Sequence, residues 1–305
     1  MKLIILLAVL FAPTLCAQDL TLKISLQKEI YLEKECIPIV TVLHNNTENE
    51  IKFHPQHYLS SVFELIITDS TGKRPTKLVL PQSPDFKNSN FFLPPDEDYV
   101  YSFFINSGYA HVYHKEFALR KSLNHLKAGK YQIQARYKHL KLTEKKFTSD
   151  YYIYHKISPG IEVADSVYSN IIDITIVKPD AKQLDIYKRI EAGYLSAREV
   201  GVTIKGKAEK YLDLISKYHD SPYKNNLFFY LYKLHTFAYL ELINNFNQEY
   251  ADLINQFPNE LGTLFLFINN PELVELIDLN GKKFSEQYRK LAIEHMIKNK
   301  KISKD

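Results

Sequence analysis

The sequence predicts an α+β protein with its two kinds of structure segregated, an antiparallel β-sandwich first and an all-helical half second. Two observations carry this. Over 131–137, Tyr131, Ile133, Ala135 and Tyr137 alternate with Gln132, Gln134 and Arg136, the period of a strand with one buried and one wet face. Over 211–218, Tyr211, Leu214, Ile215 and Tyr218 recur at the spacing of one apolar helix stripe. The change from one period to the other falls at 169–180. There Ile172, Ile174 and Ile176 face one way and Asp173 and Thr175 the other, until Pro179 removes a ladder donor. Asp180 is the expected N-cap of the first helix. No Gly/Ser-rich linker separates the halves, so they are expected to dock.

The chain begins with Lys2 and an apolar run over 3–11, followed by small or uncharged residues up to Ala17. That pattern is a secretory signal peptide, with cleavage expected after Ala17. Its Ala-Gln ending resembles signal peptides of Bacteroidetes-like bacteria. Leu15 stands before Cys16 where a lipoprotein signal needs a small residue, which disfavours anchoring through Cys16. The organisation expected is a signal peptide over 1–17, a sandwich over 18–179 and helices over 180–305. The location expected is secreted, periplasmic or cell-surface. No other stretch is long and apolar enough to span a bilayer, so the mature chain is expected to have no transmembrane span.

Cleavage leaves Cys36 as the lone cysteine, and no intrachain disulfide can form. A formal net charge of +4, scattered along the chain, gives no basis for a nucleic-acid partner.

Strands are expected in order from Leu20, Leu22, Ile24 and Leu26, then through 31–35 into 37–43, with a turn at Asn45, Asn46 and Thr47. A further strand over 63–67 ends in Asp69-Ser-Thr-Gly72, a turn whose glycine can take positive φ. Pro94, Pro95 and three acids precede the apolar strand 100–105. Tyr31, Glu35, Ile37, Val40, Val42 and Asn45 together resemble the opening of secreted bacterial immunoglobulin-like sandwiches. The stretch 126–133 is similar to their tyrosine corner, where a tyrosine hydroxyl bonds back to the backbone. It has Lys127 in place of an acid and Ile133 in place of a cysteine. The resemblance covers about half the chain and implies a fold, not a ligand.

In the second half, Tyr211-Leu-Asp-Leu-Ile realigns with Tyr250-Ala-Asp-Leu-Ile, which predicts stacked helical hairpins. A helix over 227–243, apolar on most sides, is expected at the centre. Lys217-Tyr-His-Asp-Ser-Pro-Tyr223 resembles a turn of tetratricopeptide-like envelope proteins, with His219 in place of a proline. Asn225, Asn226 and Phe229 stand where such repeats use small residues. The resemblance implies an interaction role.

Candidate chemistry is sparse. His54 and His57, and His111 and His114, are spaced to share a metal only if the backbone turns between them. Asp96, Glu97 and Asp98 lack the ligand spacing of a calcium loop. Cys36, at the start of an apolar strand, reads as a half-buried structural thiol. The sequence carries no nucleophile elbow, zinc-protease helix, phosphate loop or dinucleotide fingerprint. No catalytic, cofactor-binding or metal residue is therefore assigned. Tyr109, Tyr113, Tyr151 and Tyr152 form the expected binding surface. The function this supports is a non-enzymatic binding or scaffold module whose partner is an envelope protein or glycan. The alternatives are an envelope-polymer hydrolase with its site at the domain junction, and a proteinase-inhibitor-like sandwich.

Overall fold

In the computed structural model, described for residues 19–53, 63–74, 91–105, 126–142, 161–197, 202–237, 239–267 and 272–302, strands occupy the first part of the chain and helices the second. Strands β1 (Leu20–Leu26), β3 (Ile37–Asn45) and β7 (Asp98–Ile105) form an antiparallel sheet in the order β1-β3-β7. A second sheet runs β2 (Ile30–Leu32), β10 (Ile172–Val177), β8 (Gly129–Leu142), β5 (Phe63–Asp69), and β9 (Ile161–Tyr168) also pairs with β8. β4 (Ile51–Phe53) and β6 (Phe91–Leu93) make a small ribbon. The two larger sheets face each other across one core that includes Leu22, Ile37, Phe103, Tyr131 and Ile174.

The alternation read in β8 is present: Tyr131, Ile133, Ala135 and Tyr137 are buried, while Lys130 and Gln132 are exposed. Tyr131 donates its hydroxyl to the carbonyl of Lys127 at 2.9 Å, the bond expected of a tyrosine corner. At Asp69, the carboxylate accepts from the N–H groups of Thr71 and Lys73, and Gly72 takes φ +77°, closing the expected turn. Asn45 organises the opposite end of the sandwich. Its amide donates to the carbonyls of Asn49, Leu93 and Pro94, and its oxygen accepts from the N–H of Thr47.

β10 pairs with the first part of β8 and β9 with the second, along the same edge. Between them Asn170 reaches across to β1. Its side chain accepts from the N–H of Ile24 at 2.9 Å and donates to the Ile24 carbonyl at 3.2 Å. One amide thus imitates a strand at the edge of β1, satisfying backbone groups that an edge leaves open.

The helical half consists of α1 (Ala181–Ala197), α2 (Ile204–Tyr218), α3 (Lys224–Phe237), α4 (Tyr239–Gln256), the 3-10 helix Leu261–Leu266, α5 (Leu273–Leu276) and α6 (Glu286–Ile302). Asp180 caps α1 reciprocally: its carboxylate accepts from the Gln183 N–H at 2.7 Å, and the Gln183 side chain accepts from the Asp180 N–H. The helix expected over 227–243 is instead two elements. Phe257, just past the end of α4, lies 5.6 Å from Phe228 near the start of α3, so α4 returns along α3.

Both copies of the internal match bury the same positions, Tyr211 with Ile215 and Tyr250 with Ile254. The second copy does not continue into a partner helix. After Asn259, at φ 70°, the chain forms the 3-10 helix, where a Cβ on Gly262 would come within 2.7 Å of Phe228. The missing side chain at Gly262 lets this short element lie close against α3.

Helices and strands share a core. Val40, Val100 and Phe104 leave the sandwich side of β3 and β7 and pack against the helical half, where α3, the 3-10 helix and α6 meet these strands. Phe104 stacks on Phe265 at 4.1 Å and meets Phe229 edge-on at 5.5 Å. The sheet β1-β3-β7 is therefore the middle of three layers.

The face assignment of β8 gives a measurable contrast. Tyr131→Ala is expected to lower unfolding stability by about 3–5 kcal/mol, and Lys130→Ala to change it by less than about 0.5 kcal/mol. Urea unfolding of the two variants with equal midpoints would refute the assignment.

Candidate functional site

Tyr109, Tyr113, Tyr151 and Tyr152 lie outside the described residues, as do His54, His57, His111 and His114. The acidic turn before β7 is described and is structural. Asp98 receives His44 Nδ1 at 2.8 Å and Lys290 Nζ at 2.6 Å, linking β3, β7 and α6. Burial acts to raise the Asp98 carboxyl, but Lys290 and His44 outweigh it and hold it below the usual range. Among the described residues no cluster of three or more His, Cys, Asp or Glu could hold a metal. Cys36, expected to be half-buried, is fully buried, because helices cover the sheet face it occupies. Burial first, and then the neighbouring Glu35 charge, push its thiol pKa well up, so it stays protonated and unreactive.

A dense arrangement of polar groups lies where the turn between β2 and β3 meets α3. Lys34 takes φ 69° there, which turns the chain sharply. Asn226, in the first turn of α3, fills the corner. Its Oδ1 accepts from the Cys36 N–H at 2.9 Å and its Nδ2 donates to the Lys34 carbonyl at 2.9 Å. The hydroxyl of Tyr223 donates to the Glu33 carbonyl at 3.3 Å, and burial pushes that phenol up to about 12. Lys34 in turn extends over the Tyr187 ring of α1, 4.7 Å from its centroid. Backbone groups freed by the turn are thus bonded by helix side chains.

Beside them lies Glu35, its side chain 0% exposed. One carboxylate oxygen accepts from the Leu32 N–H at 2.9 Å, and the other pairs with Lys28 Nζ at 2.6 Å. Burial dominates and raises this carboxyl, against the pull of Lys28 and Lys224. Across the junction, Glu260 binds Lys224 and the side-chain amide of Gln27. A raised carboxyl at a junction is the starting point for acid catalysis. Here it is sealed from solvent and engaged with Lys28 and Leu32, so its role is to hold the turn. In the sequence alone, Asn226 stands out only as a departure from small-residue packing. The available signal was an Asn pair opening an otherwise apolar helix, where a buried amide needs backbone partners.

No family model and no curated protein matches this chain. Among solved structures it is similar to the solution NMR structure of the CARDB domain of a Pyrococcus furiosus protein, at 12% identity and a TM-score of 0.23, covering 52% of this chain and 94% of that one. A crystal structure of that domain in complex with di-metal ions gives 12% identity and a TM-score of 0.25, covering 53% and 94%. The sandwich described above rests on its own strand pairing and shared core.

Asn226→Ala leaves two buried backbone groups unpaired and is expected to cost about 2–4 kcal/mol. Asn226→Asp keeps the acceptor for Cys36 but loses the donor to Lys34, and should also destabilise. Chemical denaturation that finds either variant as stable as the parent would show that the corner is not held this way.

Glu35 sets a pH dependence. A carboxyl with a raised folded-state pKa contributes stability below the ordinary carboxylate range and loses it as pH rises through the folded value. The stability of the parent relative to Glu35→Gln should therefore fall as pH rises from about 4 towards 7. A pH-independent difference between the two urea curves is the contrary result.

Proposed function

We propose that this protein is a secreted or periplasmic binding or scaffold module, non-enzymatic, in which an immunoglobulin-like sandwich is braced by a helical layer. The observation that carries this reading is the junction. Its ionic and amide groups are consumed in fixing the turn between β2 and β3, and its apolar groups in packing Phe104 among helices. A sandwich held so firmly presents its outer surfaces as one rigid platform, which lowers the ordering cost of binding. The secretory pattern over 1–17 and the sandwich motif around Tyr31 and Glu35 support an envelope setting. The partner is an envelope component.

The test is co-sedimentation of the tagged mature chain with isolated envelopes of the encoding organism, followed by identification of what survives a moderate-salt wash. Saturable co-sedimentation supports the module. A chain that stays in the supernatant at every envelope concentration overturns it.

A further inference from the structure

The outer face of the β2-β10-β8-β5 sheet carries an unusual degree of order for a wet surface. From β8, the side chains of Gln132, Gln134 and Arg136 share this face, between Lys130 and Lys138. Strand register sets Thr68 and Asp173 on either side of Gln132, and Glu64 and Tyr168 on either side of Arg136. Each planar group is fixed by a neighbour. Gln132 Nε2 donates to Asp173 Oδ1 at 3.1 Å, Gln134 Nε2 donates to the Ser169 carbonyl at 3.0 Å, and Arg136 binds Glu64. The Arg136 guanidinium also lies 6.0 Å from the centroid of the Tyr168 ring, which is 49% exposed.

Three physical features narrow the occupant. The face is long: eight residue steps along β8 lead from Lys130 to Lys138, about 27 Å at a strand's rise. Its hydrogen-bonding groups are planar amides and a guanidinium already held in place, so a ligand that uses them incurs little rotamer cost. Its charge is complementary to an anion, because Lys130, Arg136, Lys138 and Arg74 outnumber Glu64 and Asp173. A protein interface needs a contiguous apolar centre, and here the exposed Tyr168 and Ile30 and the half-buried Ile66 are set apart by polar side chains, Arg136, Gln134, Lys130 and Thr175 among them. A nucleic acid needs far denser positive charge. A chain of hydroxylated rings with spaced carboxylates fits all three features: hydroxyls on Gln132 and Gln134, a ring face on Tyr168, and carboxylates on Lys130 and Lys138.

We propose that this sheet face binds an extended anionic polysaccharide. The proposal rests on the binding-module reading and names its ligand class and surface. Affinity electrophoresis of the full chain in native gels containing alginate, with neutral dextran as the comparison, tests it. Retardation is expected in alginate and not in dextran. Tyr168→Ala and Gln132→Ala should each weaken it about five- to tenfold, while Lys182→Ala on α1, which removes a charge elsewhere, should leave it unchanged. No retardation in alginate overturns the proposal, and so does retardation that the two face variants share with the parent. If alginate binding fails while co-sedimentation with envelopes persists, the glycan face alone falls. If both fail, the module reading falls with it.

Discussion

The constraint on which the structure depends is the burial of β3 and β7 on both faces. One face of β3 and β7 sends Ile37, Ile39, Leu43 and Phe103 into the sandwich, and the other sends Val40, Val100 and Phe104 against helices. A strand buried on both faces exposes no side chain to water, so every element that covers it must stay in place. Phe104, between Phe265 and Phe229, is the apolar anchor of that cover. Removing the helices would expose a sheet of large side chains, a surface that soluble proteins do not leave open.

Polar groups at the edge of this contact follow from it. The turn between β2 and β3 lies where the covered face begins, so its backbone loses water and must find partners. Asn226 and Tyr223 supply them from α3 and the turn before it, and Glu35 secures the Leu32 N–H from within the turn. Burying Glu35 is costly in itself, which is why its carboxyl is raised despite Lys28. That cost is offset by the backbone bonds it completes. The same logic operates at the far edge of the sandwich, where Asn170 stands in for a strand beside Ile24.

Much of the strand layer was legible because its side chains obey period two. The alternation in β8, the tyrosine corner at Tyr131, the turn at Gly72 and the cap at Asp180 are local events, fixed by residues within a few positions of one another. Cys36, which the sequence predicts to be half-buried, is wholly enclosed because helices cover the outer face of β3, a cover that alternation within the strand does not reveal. The internal match between Tyr211 and Tyr250 correctly marked two equivalent helix stripes. It gave no warning that the second would be followed by a 3-10 helix, whose Gly262 lies close against Phe228 of α3.

By itself the sequence determined the order of strands and helices, the change from strand to helix at Pro179 and the wet and dry faces of β8. These depend on periodicity, backbone restriction and composition, which act along the chain. Only the tertiary structure decided that Asn226 holds the turn at Lys34, that Asp98 joins His44 to Lys290, and that Gln132, Arg136 and Tyr168 lie together on one ordered face. Each of these brings together residues far apart in sequence, and their separation in space is set by how the layers pack.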